Sequence, residues 1–224
     1  MSWDPPSGGP SPDAEPAAGP LDVDLAGLVS ERGAVLLDAL EDHYAGARDH
    51  ADATASYAFG AAVELRFERE HAEAVRETAR LHEVGMIYVP AAVLSTPPEE
   101  RDAAGQAAIE AQPGYGAELA RGAGIPTRAC EWIAAIAERF DGRGPSGLAG
   151  ERVPLEARII SVACACDRAL TAPHPHPHPQ ASSAEHRATA FATLRAAGGR
   201  ELDPRVVAAL TGLLDRVSRG AKQA

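Results

Sequence analysis

Leu81-His82-Glu83-Val84-Gly85-Met86 is the first of four short segments that decide the fold of this chain. The others are Gln112–Gly116 (QPGYG), Glu138–Leu148 (ERFDGRGPSGL) and Val153–Ile160 (VPLEARII). The glycine of the first segment is expected to end a helix, and the glycines and proline of the third predict a loop. These segments therefore mark turns that connect helices.

The sequence around these segments predicts helices only. Apolar residues recur at helical spacing, and no stretch alternates with the two-residue period of a strand. The predicted helices cover residues 21–46 (an interruption near Gly33 stays open), 49–67, 70–82, 87–94, 115–121, 127–140, 155–170, 184–197 and 204–219, with a further helix start at 95–100. We expect an all-α domain over residues 21–220, a bundle of about seven to nine helices. Residues 1–20 are rich in Pro and Gly and are expected to be a disordered tail.

The composition argues against several classes of protein. A net charge of −11 disfavours nucleic-acid partners and anionic membranes, which both attract basic surfaces. Cys130, Cys164 and Cys166 form no C-x-x-C motif, so free thiols in a reducing compartment are expected. No apolar run approaches the roughly 20 residues that span a bilayer, and the N-terminus lacks a signal-peptide pattern. We therefore expect a cytoplasmic protein.

The order and spacing of the four segments resemble the HD-GYP family, the metal-dependent phosphodiesterases of cyclic di-GMP. The resemblance covers roughly residues 45–215. It implies the helical bundle of HD domains and a role in bacterial signalling. It also implies a site in which metal ions lower the pKa of a bridging water and hold phosphate oxygens.

The resemblance assigns the family's metal ligands to positions of this chain. Four residues with side chains that can bind metal match the minimal HD set: His50, His82, Glu83 and Cys164. Three ligand positions are degenerate, because the family's lone His matches Gln112 and its His-His pair falls on Ile136 and Ala137. An apolar side chain coordinates nothing, and a neutral amide oxygen is a poor ligand for a first-row metal. An intact two-metal centre is therefore not expected.

The family's phosphate contacts are also altered. Two lysines that contact phosphate in the family are Met86 and Thr96 here. The Tyr of its Gly-Tyr-Pro motif is missing, because Pro145 directly follows Gly144. These differences disfavour phosphate binding.

Two interpretations of the four remaining candidate ligands stay open. Two imidazoles, a carboxylate and a thiolate would suit a single divalent metal, Zn, Mn or Fe. The preferred interpretation is that no metal binds, that Cys164 packs as a small hydrophobe and that the histidines are hydrogen-bonded in a partly buried groove.

Charged residues near the third segment have a structural and a functional interpretation. Arg139 and Arg143 could form an anion-binding rim at the mouth of the site, or be solvated surface charges. The loop residues Asp141, Gly142 and Gly144 are expected to be mainly structural, the glycines adopting φ > 0 in tight turns.

Three other features are expected to be structural. Arg158 and Asp167 should each cap a helix or tie a loop to the core. The alternating Pro and His residues at 173–179 could gather a soft cation, but we expect a low-complexity loop insertion at 172–183.

The sequence thus predicts a catalytically degenerate HD-GYP-like protein, a non-catalytic regulatory or interaction protein with a protein partner. One alternative is a weak metal-dependent phosphohydrolase with a reduced one-metal site. Another is a cyclic-dinucleotide sensor without hydrolysis, which the missing lysines disfavour. Nucleic-acid and membrane partners are not expected.

Overall fold

The computed structural model describes residues 24–171 and 183–220. Within them the chain forms nine α-helices: α1 (Leu25–His43), α2 (Ala47–Glu64), α3 (Arg69–Arg80), α4 (Ala91–Leu94), α5 (Ala103–Gly122), α6 (Thr127–Ala135), α7 (Leu155–Thr171), α8 (Ser183–Ala197) and α9 (Pro204–Gly220). Short 3-10 helices cover Val84–Tyr88, Pro98–Glu100 and Gly150–Arg152. The all-α prediction is confirmed. The predicted tail at 1–20 and the alternating Pro and His residues at 173–179 (the Pro-His tract) lie outside the described residues.

Helix α2 lies at the centre of the bundle and packs against α1, α3, α7 and α9. Its buried face is lined with alanine, and Ala58, Ala61 and Ala62 have no exposed surface. Short side chains allow neighbouring helix axes to approach closely. The core is completed by larger residues such as Ile159 and Ile160 of α7. This packing brings α2, α3 and α7 together and positions the candidate site.

Several predicted helix boundaries are wrong for identifiable physical reasons. Gly33 lies inside α1 and does not interrupt it. A Cβ at residue 33 would lie 2.8 Å from Leu81 Cδ1, so this glycine leaves room for the Leu81 side chain. The helix expected to start at 95–100 begins at Ala103 instead, where the Asp102 side chain accepts a hydrogen bond from Gly105 N at 2.7 Å. That helix continues through Pro113 to Gly122, so the predicted start at 115 is also wrong.

The predicted helix 127–140 ends early, at Ala135. The amides of Phe140 and Asp141 donate to the carbonyls of Glu201 and Arg200, at 3.2 and 2.8 Å. These bonds attach residues 140–141 to the turn between α8 and α9, which is incompatible with a continuing helix.

Arg158 ties a loop to the core, as expected. Its Nε donates to Val153 O at 2.9 Å, and its guanidinium pairs with the buried Asp203 at 2.5 Å. The pair joins the start of α7 to the start of α9. Within the described ranges, no helix has both the length and the apolar content needed to cross a bilayer.

Gly85 brings the segment after α3 into direct backbone contact with α5. A Cβ at this position would lie 1.9 Å from Gln112 O and 2.6 Å from Gly116 N. Backbone atoms cannot move aside as a flexible side chain can. The turn that carries His82 and Glu83 is therefore docked on α5 only because residue 85 has no side chain.

We predict that Gly85→Ala lowers the free energy of unfolding by about 2 kcal/mol or more, as overpacking against fixed atoms does. Urea unfolding would measure this change. Gly114→Ala is the matched control, because this exposed helical glycine has nothing within 4 Å of the added Cβ. It should stabilise α5 slightly, since alanine is the better helix former. Equal effects of the two substitutions would contradict the proposed contact.

Candidate metal centre

The structure brings together the four residues that the sequence singled out. His50 lies in the first turns of α2, His82 and Glu83 follow the end of α3, and Cys164 lies in the middle of α7. Their candidate ligand atoms all lie within 4.8 Å of one another. Residues far apart in sequence thus form one compact cluster of nitrogen, oxygen and sulfur atoms.

The turn after α3 places two of these residues. The chain leaves the helix through successive tight turns, in which His82 N donates to Ala79 O and Val84 N to Leu81 O. Both side chains are buried, His82 with 2% and Glu83 with 5% of its surface exposed.

The hydrogen bonds of the two histidines fix their tautomers. His82 Nδ1 donates to Ala79 O at 2.7 Å, and His50 Nδ1 donates to Asp167 Oδ2 at 2.6 Å. A carbonyl or a carboxylate can only accept, so each Nδ1 carries a proton, and Nε2 is the ring nitrogen left to bind a metal. His82 Nε2 is buried and has no hydrogen-bond partner. Metal-binding histidines are usually held in this way, through a hydrogen bond from the other ring nitrogen.

The remaining distances show that the cluster is closely spaced. His50 Nε2 lies 3.7 Å from Cys164 Sγ and 3.8 Å from Glu83 Oε2. The two imidazole rings have their centroids 5.1 Å apart. The donor set of two imidazoles, a carboxylate and a thiol therefore fits one divalent ion of the zinc type.

Burial sets the protonation states of the cluster. It lowers the pKa of His82 to about 4, so this imidazole is neutral at pH 7. Burial raises the pKa of Cys164 to about 12, so the thiol keeps its proton until a cation displaces it. Burial alone would also raise the pKa of Glu83, but His82, Arg168 and His50 together hold it below its ordinary value.

Sequence reasoning missed two residues of the site, Asp167 and Arg168. Asp167 does not tie a loop to the core, because its carboxylate holds His50. The Arg168 guanidinium pairs with Glu83 Oε1. Both follow Cys164 by three and four residues, which places all three on one face of α7. This helical spacing was the signal that could have identified them.

The cluster opens into a groove of about 640 Å³. His50, Glu83, Asp167 and Arg168 contribute to its wall, together with Tyr44 and Arg101. The groove is large enough for a small-molecule ligand.

The three positions expected to be degenerate, Gln112, Ile136 and Ala137, carry no imidazole, carboxylate or thiol. Gln112 Nε2 donates to His82 O at 3.0 Å, so its amide supports the backbone beside the cluster. Ile136 packs against the core, and its carbonyl accepts a hydrogen bond from Ser161 at 2.8 Å. Ala137 has only a methyl group. Among the His, Cys, Asp and Glu residues of the described part of the chain, the cluster that could hold a metal consists of these four.

The loop after α6 is built by structural contacts. Gly142 has φ +79°, as expected, but Gly144 is needed for a different reason. A Cβ on Gly144 would lie 2.5 Å from Glu138 Oε2 and 2.7 Å from Arg139 N. The prediction of positive φ is therefore wrong for Gly144, whose role is close packing. A hydrogen bond from Arg139 lowers the pKa of Asp141 to about 2.

The two arginines of the predicted anion-binding rim lie away from the groove wall. Arg139 pairs with Asp141 at 2.9 Å and Glu201 at 3.2 Å. Neither Arg139 nor Arg143 lines the groove, whose arginines are Arg101 and Arg168. An anion-binding role for the first two stays a prediction.

A sequence model of the HD domain family matches residues 34–206, well over half of the chain. The chain belongs to the HD-domain family. The cyclic di-GMP phosphodiesterase response regulator RpfG of Xanthomonas campestris pv. campestris (strain 8004) is 36% identical to this HD domain over 155 residues. The match covers 66% of this chain but only 38% of RpfG.

Solved structures share the fold of this HD domain. Bd1817, a HDG"Y"P protein from Bdellovibrio bacteriovorus, has a TM-score of 0.61 and 19% identity, over 75% of this chain and 52% of that protein. The HD domain of the L. monocytogenes phosphodiesterase PgpH in complex with cyclic di-AMP has a TM-score of 0.58 and 14% identity, over 83% and 97% of the two chains. The helical fold that the resemblance to HD-GYP domains implies is thus confirmed.

We predict that the stability of the metal-free protein falls as the pH drops from 6.5 to 4. The unfolded imidazole of His82 titrates near 6.5 and the folded one at about 4, so the unfolded state binds more protons in this window. The full effect is about 3 kcal/mol. Urea unfolding across this pH range, with a chelator present, would measure it. His82→Gln should flatten the pH dependence, and an unchanged slope in this variant would assign the effect to other groups.

Proposed function

We propose that this HD domain is a non-catalytic regulatory or interaction protein that holds one zinc ion through His50, His82, Glu83 and Cys164. The observation that carries the proposal is the arrangement of the two imidazoles. Each is held through its Nδ1, with His82 Nε2 unpartnered and His50 Nε2 beside Cys164 and Glu83. A bound zinc ion would supply a redox-inert link between α2, the end of α3 and α7.

The number of donors supports a structural role. Structural zinc sites have four protein ligands, whereas catalytic sites keep one position open for water or substrate. Four side chains here can fill a tetrahedral shell. The thiol of Cys164 and the two imidazoles also favour zinc over manganese, which prefers oxygen ligands.

The residues around the cluster support the absence of hydrolysis. Two-metal hydrolases hold a second ion that helps to activate water and clamp phosphate oxygens. Ile136 and Ala137 have no ligand atom in their side chains. Gln112 is a neutral amide that donates a hydrogen bond to His82 O.

The groove supports a second candidate, a cyclic-dinucleotide sensor without hydrolysis. The PgpH HD domain was solved in complex with cyclic di-AMP, and RpfG is named as a cyclic di-GMP phosphodiesterase. Arg101 and Arg168 line the groove of about 640 Å³ and would supply positive charge to two phosphates. The chain spans only 38% of RpfG.

We predict close to one zinc ion per chain after purification without a tag, measured by elemental analysis. The three histidines of the Pro-His tract, His174, His176 and His178, should first be changed to serine so that they do not bind metal. In this background His82→Ala and Cys164→Ser should each abolish stoichiometric zinc binding, because each removes one of four ligands. His186→Gln, on α8, is the control and should keep the metal. A zinc content far below one per chain would contradict the metal centre.

We also predict no hydrolysis of cyclic di-GMP when Mn²⁺, Fe²⁺ or Zn²⁺ is supplied, measured by chromatography of the products. RpfG would serve as the active control. Turnover that disappears in His82→Ala would overturn the non-catalytic assignment and favour the weak phosphohydrolase. Calorimetry with cyclic di-GMP tests the sensor separately, and the absence of heat at high micromolar concentration would exclude it.

A further inference from the structure

We infer that Arg168 is a built-in competitor of the metal, a fixed cation that neutralises Glu83 in the metal-free protein and weakens zinc binding to the cluster. The inference rests on the proposed metal centre and goes beyond it, because it assigns the regulation of metal affinity to a residue outside the four ligands.

The geometry places the guanidinium where it shares a ligand with the metal. The Glu83 side chain is 6% exposed, whereas that of Arg168 is 60% exposed. The arginine therefore reaches from the groove to a carboxylate that lies inside the protein. It contacts Glu83 Oε1, while Oε2 faces His50 Nε2. One oxygen is held by the arginine, and the other points to the space between the ligands.

The charges explain why this contact exists without a metal. A buried carboxylate is costly unless a cation or hydrogen-bond donors compensate it. Arg168, whose guanidinium contacts Glu83 Oε1 directly, supplies this compensation. The guanidinium thus does for Glu83 in the metal-free protein what a bound cation would do.

A fixed positive charge at this position works against a second cation. A unit positive charge about 6 Å from a divalent ion lowers the ion's affinity about tenfold even at the dielectric constant of water. The opposite outcome is also physically reasonable, since carboxylate ligands are often held in place by an outer hydrogen-bond donor. In that case, loss of Arg168 would weaken binding. Tighter zinc binding after loss of Arg168 would indicate competition, and weaker binding would indicate support.

The test compares Arg168→Gln and Arg168→Lys in the background without the three tract histidines. Zinc affinity would be measured in each folded variant by competition with a chelating dye. Glutamine keeps a donor for Glu83 but removes the charge, so zinc should bind about tenfold tighter. Lysine keeps the charge, so its affinity should stay near that of the parent. The control is Arg216→Gln, an arginine of similar exposure (53%) that pairs with Glu64 on α2 at 2.5 Å, and it should leave zinc affinity unchanged.

A second readout separates this role from that of an ordinary surface ion pair. With a chelator present, Arg168→Gln should melt at a lower temperature than the parent, because Glu83 loses its cation. Added zinc should raise its melting temperature more than that of the parent. Equal or weaker zinc binding by Arg168→Gln would overturn the inference and leave the metal centre standing. If neither protein binds zinc, both proposals fail.

Discussion

The close packing of α2 between α3 and α7 is the constraint on which the rest of the molecule depends. Alanines on the buried face of α2 allow this approach, and Ala58, Ala61 and Ala62 are completely enclosed. Larger side chains would separate the helices, since a core close to crystal density has no spare volume. The candidate ligands are contributed by these helices and by the turn after α3. A change in the spacing of these helices would therefore increase the distances between the ligand atoms without altering any ligand residue.

The contact between Gly85 and α5 fixes the site from the other side. The backbone of residue 85 lies against Gln112 O and Gly116 N, so the preceding turn has one position. Gln112 adds a hydrogen bond from its side chain to His82 O. A position that the family resemblance assigns to a metal ligand here supports the backbone of another ligand.

The fold could be predicted from sequence because helical periodicity is a local signal. The four candidate ligands, His50, His82, Glu83 and Cys164, were instead assigned by the resemblance to HD-GYP domains. The course of α5 could not be predicted in the same way, because Pro113 and its neighbouring glycines are weak helix formers and tertiary packing overrides them. Asp167 and Arg168 were missed because their roles depend on which face of α7 meets α2 and the end of α3.

The unpartnered nitrogen of His82 is the strongest argument that the cluster has a ligand. A buried polar atom without a hydrogen bond costs about 1–3 kcal/mol, a large share of the stability of a small domain. If His82 served only for packing, an apolar side chain of similar size would fill the same space without this cost. Here the ring is also fixed by its bond to Ala79 O, which directs the free lone pair away from the backbone. The cost is understandable if a metal ion accepts that lone pair in the working protein.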